Sequence, residues 1–290
     1  MPGTLFIVAT PIGNLEDLTL RATRILGEVD LVAAEDTRHT RTLLRHLGLA
    51  TPTTSLYAQN EHRKTPALLE RLRAGTSIAL VSDAGTPTIS DPGQRLVAAA
   101  HEAGIPVVPV PGPSALLAAL SASGFDARRF RFEGFAPRKP AERRAWYLQL
   151  ADCDDVIVFF EAPHRIRQTL SELARIIGER PIILGREITK LHEQLVKGPI
   201  CDVLNDLIET KGEMVIVIGP AVQVHEPAKK LDAAAVYSMF CEMTENTALS
   251  RRQVVKNVGK RLGIPARRVY ELIEEAKKSS ECPNRLGSDP

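Results

Sequence analysis

Short apolar runs recur through the first half of the chain, each closed by a turn rich in Gly, Pro or polar residues. Residues 5–9, 30–34, 53–57, 78–81 and 106–110 are such runs, and their length and β-branched content predict buried strands. Between them the apolar positions take helical spacing, which predicts helices over 20–27, 40–47, 66–73, 94–102 and 115–121. Strands alternating with helices predict βα units and a largely parallel sheet. Its polar strand ends should gather along one edge, where open α/β sheets take their ligands. This first α/β domain is expected to span residues 1–123.

The pattern restarts near Gly124. Strands are expected over 130–135, 155–160, 181–185, 193–197 and 213–218, and helices over 146–150, 166–177 and 201–209. The 193–197 and 213–218 runs have the look of hairpin or mixed pairing, so 124–221 is read as a second α/β domain. Residues 222–231, with Pro227, read as a linker. Residues 232–278 then show three helical stretches and no strand: 233–245, 249–262 and 265–278. Residues 279–290 read as a disordered tail.

The stretch from Ser82 to Gly93 is the densest in turn formers. Two readings stand side by side. It is either an ordinary βα turn, with Ser90 and Asp91 as helix caps and Pro92 in the first turn, or a ligand loop. Glu35-Asp36 at another strand tip is likewise an acid pair for chemistry or a helix cap. Neither the glycine fingerprint of dinucleotide-binding folds nor a P-loop occurs, which disfavours both classes.

Composition narrows the class further. With 44% apolar and 25% charged residues the chain is an ordinary globular protein. Its net charge of +2 excludes generic polyanion binding by the whole surface. The charge is nevertheless uneven: from Arg251 to Arg268 stand Arg251, Arg252, Lys256, Lys260, Arg261, Arg267 and Arg268, with no acid among them. With Val254, Val255, Val258, Leu262, Val269, Leu272 and Ile273 turned inward, these helices resemble a helix-turn-helix whose basic face suits RNA. A solvated helical face is the plainer alternative. The four Cys are scattered and no His/Cys/Asp cluster has ligand spacing, so no disulfide framework and no metal are expected, and a reducing, cytoplasmic setting is. The apolar N-terminus is short and runs into Pro11, so it reads as a strand rather than a signal peptide, and no membrane partner is expected.

Six motifs in order carry a resemblance: 9–15 (ATPIGNL), 34–38 (AEDTR), 82–93 (SDAGTPTISDPG), 111–114 (PGPS), 160–165 (FEAPHR) and 185–190 (GREITK). Together they resemble the tetrapyrrole methylase family, nearest to its bacterial branch of 16S rRNA (cytidine-2′-O)-methyltransferases. The resemblance implies two α/β domains of non-Rossmann type, with S-adenosylmethionine held in the cleft between them, in a homodimer. It implies cofactor contacts from Pro11, Asp83, Gly85, Thr86, Ile89, Ser90 and Ser114 on one side, and Phe160, Leu184, Gly212 and Glu213 on the other. The substrate implied is a cytidine ribose of 16S rRNA in the small ribosomal subunit. A ribose hydroxyl is a poor acid, so a base or a cation near the forming alkoxide is required. Glu187 and Lys190 are the first candidates, with Glu35, Asp36, His62 and His164 behind them and Arg165 and Arg186 as phosphate contacts. Two rivals remain: C-methylation of a tetrapyrrole precursor, and a non-catalytic RNA-binding or ribosome-assembly factor.

Overall fold

A computed structural model describes residues 2–207, 211–220, 232–245, 250–262, 264 and 266–280. The chain forms two compact units, residues 1–222 and 223–290.

The first unit begins with β1 (Leu5–Val8), α1 (Leu20–Glu28), β2 (Leu31–Ala34), α2 (Thr37–His46), β3 (Thr53–Ser55), α3 (Glu61–Arg73), β4 (Ile78–Val81), α4 (Gln94–Glu102), β5 (Val107–Val110) and α5 (Ala115–Ala122). The strands pair in the order β3-β2-β4-β1-β5, every pair parallel. Side chains alternate between the two faces of a strand, so successive residues enter different cores. Leu5, Ile78 and Leu80 pack with Leu68, Leu72 and Leu96 of α3 and α4. Val8, Ala79 and Val81 pack with Ile25, Leu26 and Leu44 of α1 and α2. That two-sided burial is why these runs are continuously apolar rather than alternating.

The second sheet comprises β6 (Phe130–Phe135), β7 (Val156–Glu161), β8 (Pro181–Arg186), β9 (Gln194–Pro199) and β10 (Met214–Ile218). Its order is β6-β7-β10-β8-β9, parallel between β6 and β7 and antiparallel elsewhere. Helices α6 (Pro140–Ala151), α7 (Ile166–Ile177) and α8 (Ile200–Asp206) cover one face, where Tyr147 and Phe159 are fully buried. The other face is closed by α5, whose Ala119 and Leu120 pack on Val158, Val215 and Val217. Thus α5 follows the last strand of one sheet and lies in the core of the next, tying the sheets together.

Two helices start earlier than the sequence predicts. Helix α3 starts at Glu61, not at Pro66, because Pro66 sits in its second turn, where Asn60 has already begun the helical hydrogen bonds. The carboxylate of Glu61 is buried and accepts from the amides of Gly93 (3.1 Å) and Arg95 (2.7 Å). It therefore caps α4, the role that local sequence suggests for Ser90 and Asp91. The residue before α4 is Gly93 at φ 120°, where an added Cβ would lie 2.5 Å from Leu80 Cδ2. Likewise α6 starts at Pro140 rather than Trp146, with Arg143 buried against Glu172 (3.0 Å) and the Arg138 carbonyl (3.2 Å).

The second unit contains α9 (Ala233–Glu245), α10 (Arg251–Leu262) and α11 (Ala266–Ser280). Val254, Val255, Val258, Val269, Leu272 and Ile273 form its core with Val236 and Phe240. Helix α11 continues through Ser279 and Ser280, where the sequence predicts a tail. Residues 281–290 and the expected linker, 222–231 with Pro227, lie outside the described residues.

Because the Glu61 carboxylate serves two amides, one of them buried, Glu61→Ala should lower unfolding free energy by about 1–3 kcal/mol in urea titration. An unchanged midpoint would show that α4 does not depend on this cap.

Candidate active site

The carboxyl ends of β1, β2, β4 and β5 supply one wall of a cleft, and β7, β8 and β10 supply the other. Its volume is about 490 Å³, in the range of small-ligand sites. The first wall is held by a reciprocal backbone pair. Thr10 donates to the Gly85 carbonyl and Gly85 donates to the Thr10 carbonyl, each at 2.9 Å. The Thr10 hydroxyl adds a bond to the Ser82 carbonyl (3.1 Å), and Thr86 Oγ1 donates to the Pro113 carbonyl (3.2 Å). Gly85, Thr88, Ser90 and Gly93 all have left-handed φ, at 84°, 71°, 67° and 120°. Such backbone costs about 1 kcal/mol or more at a non-glycine residue and persists where its surroundings over-determine it. Ser114 caps α5 by accepting from Leu117 N–H (3.4 Å).

Of the residues expected to hold a cofactor, Asp83, Gly85, Thr86, Ile89, Ser90, Ser114, Phe160, Gly212 and Glu213 line this cleft. Two do not. Pro11 faces a neighbouring cavity, and the Leu184 side chain is buried in the second sheet's core, because only alternate residues of β8 point to the cleft. The neighbours Ile12 and Gly185 line it instead. Phe160 packs against Phe132 and Phe135 with ring centres 5.2 and 5.4 Å apart, giving that wall an aromatic face.

The cleft is acidic. Glu35, Asp83, Asp91, Glu161 and Glu213 line it, and no Lys, Arg or His does so among the described residues. Burial raises the proton affinity of Asp91, from the ordinary 3.8 to about 6, with Glu35 and Asp83 adding to it and Ser82 opposing. Burial, then the charge of Asp83, also raise Glu35. Glu161 is fully satisfied, accepting from Thr169 Oγ1 (2.6 Å) and Ala162 N–H (2.7 Å) and lying 3.2 Å from Arg165. Carboxylates beside apolar and aromatic surface fit a ligand with a cationic centre and a planar ring. S-adenosylmethionine, with its sulfonium and adenine, has that chemistry.

The remaining candidates fall elsewhere. Asp36 caps α2, accepting from Arg38 N–H (2.8 Å), and its ion pair with the Arg38 side chain (2.6 Å) holds it down to about 2. His62 and His164 are exposed and line no part of the cleft. Glu187 accepts from Glu213 N–H (2.9 Å) and Lys190 Nζ (3.0 Å), and Lys190 Nζ also reaches Glu213 (3.2 Å). Burial alone would raise Glu187 and lower Lys190, but these bonds win in both, leaving a weakened base and a firmly protonated amine. Both lie in a tight loop, with Glu187 and Thr189 at φ 51° and 68°. A Cβ on Gly13 would collide with Lys190 Cγ, and one on Gly212 with Glu187 Oε1. Those two glycines let the loop close over both walls.

Arg165 and Arg186, expected to meet phosphate, are both engaged within the fold. Arg165 donates to the carbonyls of Ala136 and Pro137, both at 2.9 Å. Arg186 is buried and donates to the Lys211 carbonyl (2.9 Å) and Gln194 (3.2 Å). In the second unit Arg251, Arg252, Lys256, Arg267 and Arg268 are exposed, although Arg267 and Arg268 share Glu271. The side chains of Lys260 and Arg261 lie outside the described residues. Sequence reasoning named Glu35 among its candidates but missed the cleft role of Asp91, since the burial that raises its proton affinity comes from segments distant in the chain.

Asp91 gives a pH signature. It is neutral below about 6 and anionic above, so affinity for S-adenosylmethionine should fall several-fold in titration calorimetry as pH drops through that value. The folded chain also loses stability as pH rises from 3.8 to about 6, because Asp91 ionises there in the unfolded chain and not in the folded one. Asp91→Asn should therefore gain in melting temperature relative to the parent as pH rises through this window, and should flatten the affinity profile. Parallel profiles for both proteins would overturn the assignment.

The geometry agrees with comparison to known proteins. Residues 4–204 match the family model for tetrapyrrole (corrin/porphyrin) methylases. A ribosomal RNA small subunit methyltransferase I from Xylella fastidiosa is 47% identical over 246 residues, covering 83% of this chain and 90% of that one. Its counterpart from Synechocystis is 44% identical over 278 residues, covering 94% and 98%. Among solved structures, a uroporphyrin-III-C-methyltransferase from Thermus thermophilus aligns with TM-score 0.52 at 21% identity, over 78% of this chain and 98% of that one. A diphthine synthase aligns with TM-score 0.57 at 14% identity, over 75% and 90%. At such identities these structures speak for the fold alone. On the family match and the two relatives, the chain belongs to the tetrapyrrole methylase family, on its ribosomal RNA small subunit methyltransferase I branch.

Proposed function

We propose that this chain transfers a methyl group from S-adenosylmethionine to the ribose 2′-hydroxyl of a cytidine in 16S rRNA of the small ribosomal subunit, as a cytoplasmic homodimer. The observation that carries the reading is the acidic, aromatic-walled cleft free of basic side chains among the described residues, in a chain with relatives of that name. Bound there, S-adenosylmethionine supplies a methyl group activated by a positively charged sulfur. The chain's part is to position, to keep the site dry and to accept a proton. Carboxylates of the cleft favour the cation, and the loop around Glu187 and Lys190 braces the walls. Glu187 and Lys190, the first candidates for the base, are better read as positioning residues, since each is neutralised by the other. Glu35 is the better acceptor for the hydroxyl proton, because burial raises its proton affinity and it lines the cleft. Arg251, Arg252 and Lys256, exposed on α10, are read as RNA contacts. A tetrapyrrole substrate would leave this basic helical unit without a purpose, and a non-catalytic factor would leave the cleft without one.

The decisive assay supplies labelled S-adenosylmethionine with small subunits, naked rRNA or a porphyrinogen. Label is expected in ribosomal RNA, and label only in the porphyrinogen would sink the proposal. In the same assay Glu35→Gln should lower kcat by about 10²–10⁴-fold. A variant as fast as the parent would remove Glu35 from the chemistry.

Paired Arg252→Ala and Lys256→Ala changes should reduce the slope of log K against log salt concentration for RNA binding by about 0.7–0.9 for each phosphate interaction removed. An unchanged salt slope would show that α10 does not touch phosphate.

A further inference from the structure

Beside the acidic cleft, and separated from it by Asp83, lies a second cavity of about 590 Å³. Asp83 lines both. The second cavity is bounded by Thr10, Pro11 and Leu15 of the first strand's turn and by one face of α2. His39, Thr42, Leu43 and His46 lie along that face at helical spacing, and they line the cavity with Arg38. His39, Thr42 and His46 are exposed. Helix α2 carries Arg38, Arg41, Arg45, His39 and His46 and no carboxylate. The cavity is thus polarised: carboxylates Asp83 and Asp36 at the cleft end, and cationic or N–H donor side chains along the helix.

A ribonucleotide has the matching asymmetry. Its ribose hydroxyls donate well to carboxylates, and its phosphates seek Arg and imidazole N–H groups. The Asp83 carboxylate is held in place by accepting from Asp36 N–H at 2.9 Å. The Arg38 guanidinium lies 2.6 Å from Asp36, yet its side chain is 87% exposed. Asp36 engages Nε (3.1 Å) and Nη2 (2.6 Å), so a phosphate meets the exposed Nη1 edge of the guanidinium. The turn 10–15 is clamped to the cleft wall by the Thr10–Gly85 pair, so both cavities share one rigid partition.

We infer that this second cavity is the subsite for the methyl-accepting nucleotide, with its ribose at Asp83 and its flanking phosphates on Arg38, His39 and His46 of α2. The inference rests on the proposed RNA methylation. It gives substrate recognition to the first sheet's own turns, in addition to the basic helices of the second unit. Thr42, between the two histidines, is the position at which added charge tests the contact without removing a hydrogen bond that the cavity needs. Its hydroxyl donates only to the Arg38 carbonyl within the helix (3.1 Å).

The test compares the full-length parent with Thr42→Glu, Thr42→Lys and the His39→Ala/His46→Ala double variant. Three readouts are taken: calorimetric affinity for S-adenosylmethionine, anisotropy binding of 16S rRNA without cofactor, and KM for small subunits. Thr42→Glu and the double histidine variant should weaken RNA binding and raise KM tenfold or more. Thr42→Lys should bind RNA as well as the parent or better, which a merely destabilised helix would not do. Cofactor affinity should stay within about twofold throughout. Parent-like RNA binding in the glutamate and double variants would overturn the subsite, and so would loss of cofactor affinity, which would make the cavity part of the cofactor site. If the parent binds S-adenosylmethionine but methylates no ribosomal RNA, the proposed function itself falls, and the subsite with it.

Discussion

Two backbone hydrogen bonds between Thr10 and Gly85 hold together what the rest of the molecule serves. They join the turn after β1 to the turn after β4, strands that lie side by side at the middle of the first sheet. The register of a parallel sheet brings these turns to one edge, but it does not fix their shape. The cross-pair does, and the left-handed residues between Gly85 and Gly93 are the cost of that shape. The cap on α4 then has to come from outside the turn. Glu61 provides it, which leaves Ser90 and Asp91 free to face the cleft.

The second sheet depends on the first through α5 and through one loop. Helix α5 buries Ala119 and Leu120 in the second sheet's core, so the walls cannot part without opening that core. The loop from Glu187 to Lys190 rests on Gly13 at one end and Gly212 at the other, where no side chain would fit. Its charges are spent on one another: Lys190 on Glu187 and Glu213, and Glu187 on the amide of Glu213. Groups so well satisfied make a poor base and a good brace.

Charge in this protein is unevenly distributed. Acidic side chains line the cleft, where a cation is to be favoured, and basic ones occupy α2 and α10. A near-zero net charge conceals that arrangement. Polarity of this kind orients a substrate that is itself polar, with hydroxyls toward carboxylate and phosphates toward base.

Much of this was legible in the chain itself. Apolar runs such as 78–81 and 213–218 specify strands because period and length suffice for a buried strand, and the motifs at 9–15, 34–38 and 82–93 carry the family. The helical nature of residues 233–245 follows from the same periodicity. What sequence alone could not settle is how each polar residue is spent. Arg165 and Arg186 read as phosphate contacts and are consumed by carbonyls and a glutamine across the fold. Glu61 lies before the helix expected over 66–73 and caps a helix whose first residue is Gln94, far along the chain. Pro11 and Leu184 sit one residue from the cleft-lining Ile12 and Gly185, a difference decided by which face of the backbone points inward. Local pattern determines where strands and helices form, because backbone sterics and hydrophobic period act over a few residues. Desolvation, hydrogen-bond partners and proton affinity depend on which distant segments arrive beside a side chain, and only the tertiary structure decides that.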